Sequence, residues 1–382
     1  MAFKGWIKKY EHLYHEVPVS DDLNAPEDVT ENVTVNVPVN DAEDTETIDD
    51  IASMTDVQND ADDRDETESE AAGVSSRGRV LSRMIAYISN ESLIGKSLKT
   101  GELRKKMSEP AWTVPEPFNL TSFDMGEFTM KMLSSKENPD LEHVILQLHG
   151  GGYMGSIRNA YYVFAGLYNE LSHGMNVCCP DYRVAPENPY PAALEDAYAT
   201  YKWLMTRAGY KPENIILAGD SAGGGLCMAL TMYLRDHGEP LPGGIIAMSP
   251  WTDLTASGES YETNFDKDPL YGGTKESLIY INSYPGDHDK TDPYISPAFG
   301  SFKDFPPMLI QVGSNEMLLS DSETVAAKAR EEGVRIRFTV YEGMFHVFQM
   351  AYTAIPESKR AWMEAGKFFD VLYRDHEQEP LY

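Results

Sequence analysis

The chain has only three cysteines, and two of them, Cys178 and Cys179, are neighbours inside an apolar run. Such a set cannot form a disulfide framework, and neighbours on a strand point to opposite faces. Buried thiols in a reducing compartment, the cytoplasm, are therefore expected. Long apolar runs are lacking too: none reaches the roughly 20 residues that span a bilayer. The N-terminus has no apolar segment followed by a small-residue cleavage site. No His, Cys, Asp or Glu cluster has metal-ligand spacing, so no metal is expected, and the acidic loop at 286–292 reads as a solvated turn.

Positive charge is in short supply, with 32 Lys+Arg against 61 Asp+Glu and a net charge of −29. The imbalance is local. Between Ser20 and Glu70 there are 19 acidic residues and one basic residue, Arg64, a balance of −18 that leaves −11 for everything else. The remainder is an ordinary mildly acidic protein with no electrostatic reason to bind nucleic acid. The acidic segment is also free of aromatic residues and cannot bury enough apolar surface to offset the entropy of ordering, so 17–75 reads as a disordered linker. Ahead of it, Phe3, Ile7, Tyr10 and Tyr14 recur at helical spacing with Lys4, Lys8 and Lys9 between them. This fits a short amphipathic helix over 1–16 that touches a membrane surface or a partner, and equally a frayed basic end.

What is abundant comes later. Val80, Leu81, Met84, Ile85 and Ile88 share one helical face, and "LIGKSLKTGELRKKM" continues the pattern, giving a pair of amphipathic helices within 76–120. From about Thr121 to the C-terminus, apolar strand-like runs ("HVILQLH", "NVCCPDY", "NIILAGD", "GIIAMSP", "PMLIQVG", "RIRFTVYE") mostly alternate with segments of helical periodicity. Alternation of this kind predicts one α/β domain over 121–382 with a mostly parallel sheet covered on both faces.

The strongest chemical signal is "NIILAGDSAGGG", an apolar run followed by Gly219-Asp220-Ser221-Ala222-Gly223 and then a helical pattern. This is the layout of a nucleophile elbow, where a serine sits on a tight strand-to-helix turn between small residues. Upstream, "VILQLHGGGYMG" ends a strand in His149, Gly150, Gly151 and Gly152. A glycine run lets backbone N–H groups approach a ligand closely, so Gly151 and Gly152, with Ala222 after the serine, are candidate oxyanion donors. Of nine histidines, His346 alone follows the last strand in a Gly-containing loop and comes after the serine, as a Ser-acid-His order requires. Two carboxylates, Glu316 and Asp321 in "QVGSNEMLLSD", stand after the preceding strand. Tyr153 and Trp251 are candidates for lining a substrate pocket.

The segments "HGGGY", "DYRVAPENPYPAALED", "GDSAGGG", "SPWTDLT" and "YEGMFHVF", in this order, resemble the hormone-sensitive-lipase-like carboxylesterases of the α/β-hydrolase superfamily. The resemblance covers residues from about 79 to the C-terminus. It implies an α/β-hydrolase fold with a mostly parallel eight-stranded sheet, flanking helices and a helical cap drawn from 76–120 and from about 253–299. It implies a cofactor-free serine esterase acting on short- to medium-chain esters, with Ser221 and His346 in the triad. The family's acidic motif "DPLRDE" is replaced here by "EMLLSDS"; register with the following "AAKAREEG" places Glu316 at the triad acid and leaves Asp321 as the alternative. Acetylated sugars and lactones remain open as substrates, as do a homodimer, a non-catalytic ligand-binding role on the same fold, and a docking role for the N-terminal segment.

Overall fold

The computed structural model describes residues 74–88, 109, 111–352 and 354–373. The N-terminal amphipathic segment, the linker up to residue 73 and most of the second expected cap helix lie outside the described residues.

Among the described residues eight strands form one sheet. In chain order they are β1 (Phe118–Asp124), β2 (Thr129–Ser135), β3 (Asp140–Leu148), β4 (Met175–Asp181), β5 (Ile215–Asp220), β6 (Gly244–Met248), β7 (Met308–Gly313) and β8 (Ile336–Tyr341). Their spatial order is β1-β2-β4-β3-β5-β6-β7-β8. The β1–β2 and β2–β4 pairs are antiparallel, and every later pair is parallel. β1 starts at Phe118, three residues before the start expected for the α/β domain.

Sequence explains the two kinds of strand. β4, β5, β6 and β7 are buried almost end to end and read as unbroken apolar runs, because helices cover both faces of the parallel part. β1 alternates more and is half exposed. The helices are α1 (Ser76–Ile88), α2 (Asn159–Leu171), α3 (Ala192–Thr206), α4 (Ala222–Asp236), α5 (Ser260–Thr263), α6 (Leu319–Glu331) and α7 (Pro356–Tyr373). The first buried cluster packs Tyr161, Tyr162, Phe164 and Tyr168 of α2 and Trp362, Phe368 and Phe369 of α7 against sheet residues such as Ile145, Ile216 and Ile246.

A second, smaller cluster gathers Tyr341, Met344, Phe345, Phe348, Ile355 and Ala361 just past β8, with Val74 and Leu81 packed against it. The start of α1 is fastened here. Ser75 donates its N–H and its hydroxyl to the buried Glu357 carboxylate at 2.7 and 2.9 Å. The loop carrying His346 is thus wedged between α7 and the chain leading into α1.

The insertion over 253–299 differs from the helical cap segment that the resemblance implied. It consists of turns, with α5 and a single 3-10 turn at Pro297–Phe299. Gly258, Pro269, Gly272, Gly273, Pro285, Gly286 and Pro293 divide it into stretches of at most eleven residues, which limits helix length.

Candidate active site

Ser221 is the single residue between β5 and α4, and its backbone stands at φ 52°, ψ −123°. A non-glycine residue held there costs about 1–3 kcal/mol and persists only where its surroundings over-determine it. They do: Ser221 N–H donates to Met248 O at 2.9 Å, and Ser221 O accepts from Gly225 and Trp251 N–H at 3.1 and 2.8 Å. The small flanking residues have steric causes. A Cβ on Gly219 would lie 2.5 Å from the Gly223 carbonyl, and one on Gly223 would lie 2.0 Å from Leu148 O.

The hydroxyl of Ser221 meets His346 Nε2 at 2.9 Å, and His346 Nδ1 meets Glu316 Oε2 at 2.9 Å. All three side chains are nearly or fully buried. The carboxylate fixes the tautomer, with Nδ1–H donating to Glu316 and Nε2 left to accept from the serine. Burial pushes the imidazole down, yet the Glu316 hydrogen bond and charge, joined by Asp268 and Asp220, outweigh it and hold His346 above its ordinary value. Glu316 itself is secured through its other oxygen, which accepts Gly313 N–H at 2.5 Å and Ser249 Oγ–H at 2.7 Å.

The structure brings Glu316, and not Asp321, to the histidine. Asp321 lies in the first turn of α6, buried, and accepts the N–H groups of Thr252 and Asp253 at 2.8 Å each. Burial and the nearby Asp253 push its carboxyl well up. It holds the "SPWTDLT" loop in place.

The glycine run lies beside the serine. Gly150 N–H is shared between Tyr161 Oη at 2.9 Å and Asp220 Oδ1 at 3.1 Å, and Tyr161 donates to Asp220 Oδ2 at 3.1 Å. Burial raises Asp220 to about 6, with His346, Tyr161 and Gly150 pulling the other way. His149 is fully buried and stacked on Tyr182 at 4.0 Å, its Nδ1 at 2.7 Å from Gly150 O. Gly151 and Gly152 adopt φ 107° and 63°, and neither backbone N–H has a protein acceptor among the described residues. Ala222 opens α4, where first-turn N–H groups have no partner within the helix.

Tyr153 and Trp251, expected to line a pocket, are both buried. Tyr153 stacks on Tyr284 at 3.8 Å, and Trp251 donates its indole N–H to Asp253 O at 3.2 Å. Two residues of the site were missed by sequence reasoning. Ser249 had a usable signal, a polar residue directly after an apolar strand in "IIAMSPW". Tyr271, whose ring centroid is 4.9 Å from that of His346, had none, because it comes from a turn-rich insertion with no periodicity.

A serine at a strand–helix joint, tied to a histidine and a carboxylate beyond the ends of parallel strands, defines an α/β-hydrolase. The chain belongs to that family: its model, described as alpha/beta hydrolase fold, matches residues 145–350, more than half of the sequence. An acetyl-hydrolase of Streptomyces hygroscopicus is 38% identical over 59% of this chain and 74% of its own length. An esterase of Acinetobacter venetianus is 35% identical over 63% and 78%. Among solved structures, an esterase of the bacterial hormone-sensitive lipase family superposes with TM-score 0.69 at 31% identity, covering 78% of this chain and 99% of that one. The chain's place is in that hormone-sensitive-lipase-like group. Among the described residues no group of three or more His, Cys, Asp or Glu is placed to hold a metal, and no helix is long and apolar enough to cross a membrane.

Proposed function

We propose that the protein is a serine carboxylesterase that hydrolyses short- to medium-chain esters through an acyl-enzyme, with Ser221 as nucleophile, His346 as base and Glu316 as its orienting acid. The observation that carries this reading is the unbroken chain of contacts from Ser221 Oγ through His346 to Glu316, each 2.9 Å. His346 takes the serine proton as Oγ attacks the ester carbonyl. The developing oxyanion is met by the backbone N–H groups of Gly151, Gly152 and Ala222, and in such sites one donor contributes about 3 kcal/mol to the transition state. Protonated His346 returns the proton to the departing alcohol. Water then repeats the sequence on the acyl-serine.

Relatives support the acyl range. One is an acetyl-hydrolase, and the solved esterase EstE5, which superposes with TM-score 0.70 at 32% identity over 79% of this chain, was soaked with p-nitrophenyl butyrate. Acetylated sugars fit the same chemistry. The three buried free cysteines support a reducing compartment. Ser221→Ala is expected to abolish turnover of p-nitrophenyl acetate and butyrate and to block labelling by an organophosphonate, with an unchanged circular dichroism spectrum. Undiminished turnover would sink the assignment.

A further inference from the structure

The insertion after β6 returns over the site and is pinned there. Buried Asn264 donates through Nδ2 to Ser314 O at 3.0 Å and to Glu316 O at 2.9 Å. Buried Asp268 accepts Met317 N–H on one oxygen at 2.8 Å, and Leu270 and Tyr271 N–H on the other at 2.8 and 3.0 Å. Gly272 and Gly273 close the loop through Asp268 O and Phe265 O at 3.1 and 2.9 Å. A Cβ on Gly272 would lie 2.1 Å from Phe265 O, so the closure is tight.

This anchoring sets Tyr271 beside the chemistry. Its ring is inclined 59° to the His346 ring at 4.9 Å, and its hydroxyl has the Ser221 side chain as a polar neighbour. Tyr271 is partly exposed whereas Ser221 and His346 are buried, so it flanks the approach to them. Burial first, and the Asp268 carboxylate second, raise the phenol, so it stays an O–H donor wherever the enzyme works.

We propose that Tyr271 is a further catalytic residue whose hydroxyl hydrogen-bonds the alkoxyl oxygen of the scissile ester as that oxygen departs. The inference rests on the ester-hydrolase reading above. In the tetrahedral intermediate the former carbonyl oxygen is turned to the glycine N–H groups, so the alkoxyl oxygen must face His346 Nε2 to receive its proton. Tyr271 adjoins both the imidazole and the serine side chain, the two groups between which that proton travels. The carbon–alkoxyl bond breaks with its electron pair going to oxygen, and the proton first taken from Ser221 passes from Nε2 to the same oxygen. Tyr271 keeps its own proton throughout. Its hydrogen bond strengthens as negative charge gathers, which matters most when the alcohol is a poor leaving group.

The test compares kcat/KM, which reports acylation, for ethyl butyrate and p-nitrophenyl butyrate in the wild type and in Tyr271→Phe. The phenylalanine variant keeps the ring and is expected to lose about tenfold or more on the ethyl ester and less than about threefold on the p-nitrophenyl ester. Equal losses on the two esters would mark Tyr271 as structural and overturn the proposal, as would no loss on either. Ser221→Ala run alongside separates the two readings: if it is inert while Tyr271→Phe shows no leaving-group dependence, only the tyrosine proposal falls. Activity in Ser221→Ala would instead remove the esterase reading itself.

Discussion

Ser249 donates its hydroxyl to Glu316 at 2.7 Å and accepts the N–H of Val347, the residue after the histidine, at 3.1 Å. One buried hydroxyl thereby ties the acid to the histidine's own loop. Ser249→Ala removes a hydrogen bond to a buried charge and strands a backbone N–H. Thermal or denaturant unfolding is expected to record a loss of about 1.5–3 kcal/mol. Activity should fall while KM stays near its original value. An unchanged midpoint together with full activity would show that the tie is idle.

The two carboxylates make opposite predictions. Glu316→Gln is expected to lower kcat by about 10⁴-fold, the loss seen when a triad acid becomes its amide and the histidine tautomer is no longer fixed. Asp321→Asn leaves the histidine untouched, and one amide oxygen can still accept the Thr252 and Asp253 N–H groups. Steady-state kinetics on both variants decides; a larger kcat loss in Asp321→Asn contradicts the assignment.

His346 must be neutral to take the serine proton. Because its folded-state value is raised, it becomes protonated at a higher pH on descent than a free imidazole would. The acid limb of kcat/KM against pH is thus expected above the ordinary imidazole value of 6.5. Asp220, raised to about 6, titrates nearby, so the limb alone does not name its owner. Glu316→Gln does: removing that charge should move the limb of the residual activity to lower pH. A limb that stays put would assign it to another group.

Gly223 and Gly238 form a matched pair for testing the elbow. A Cβ on Gly223 meets Leu148 O at 2.0 Å and His149 O at 2.6 Å, whereas one on Gly238, at φ 66°, meets nothing within 4 Å. Gly238→Ala should cost about 1–2 kcal/mol, the price of a left-handed backbone alone. Gly223→Ala should cost about 4 kcal/mol or more, because backbone must move, and should fail to yield active soluble protein. Similar unfolding midpoints for the two would refute the steric account.

Glu357→Ala should loosen α1 and the histidine loop together. Hydrogen–deuterium exchange is expected to rise in both 74–88 and 343–348, with a stability loss of about 1.5–3 kcal/mol. Exchange that rises in α1 alone would separate the two segments.

The parallel core and the elbow were legible in the sequence because both are local patterns. Buried parallel strands read as apolar runs, and "GDSAGGG" encodes its turn in seven consecutive residues. Glu316 was legible only through register against the helix that follows. Ser249 and Tyr271 were not read, since their roles depend on contacts with residues 67 and 75 positions away, Glu316 and His346. The insertion over 253–299 escaped prediction for a related reason. Its order comes from Asn264 and Asp268 bonding to the turn that holds Glu316, and no periodicity announces such pins.

The ladder across β5, β6 and β7 pairs Asp220 with Met248 and Met248 with Gln311. β5 and β6 therefore end at the same level and β7 runs two residues farther, to Gly313, so that Ser221, Ser249 and the turn holding Glu316 are delivered to one rim. A slip of one residue between neighbouring strands is a step of about 3.3 Å, longer than the hydrogen bonds that join the triad. The tolerance of the catalytic group is thus set by sheet registry, and a mutation deep in β6 that shifts pairing would disable the site without touching any residue in it.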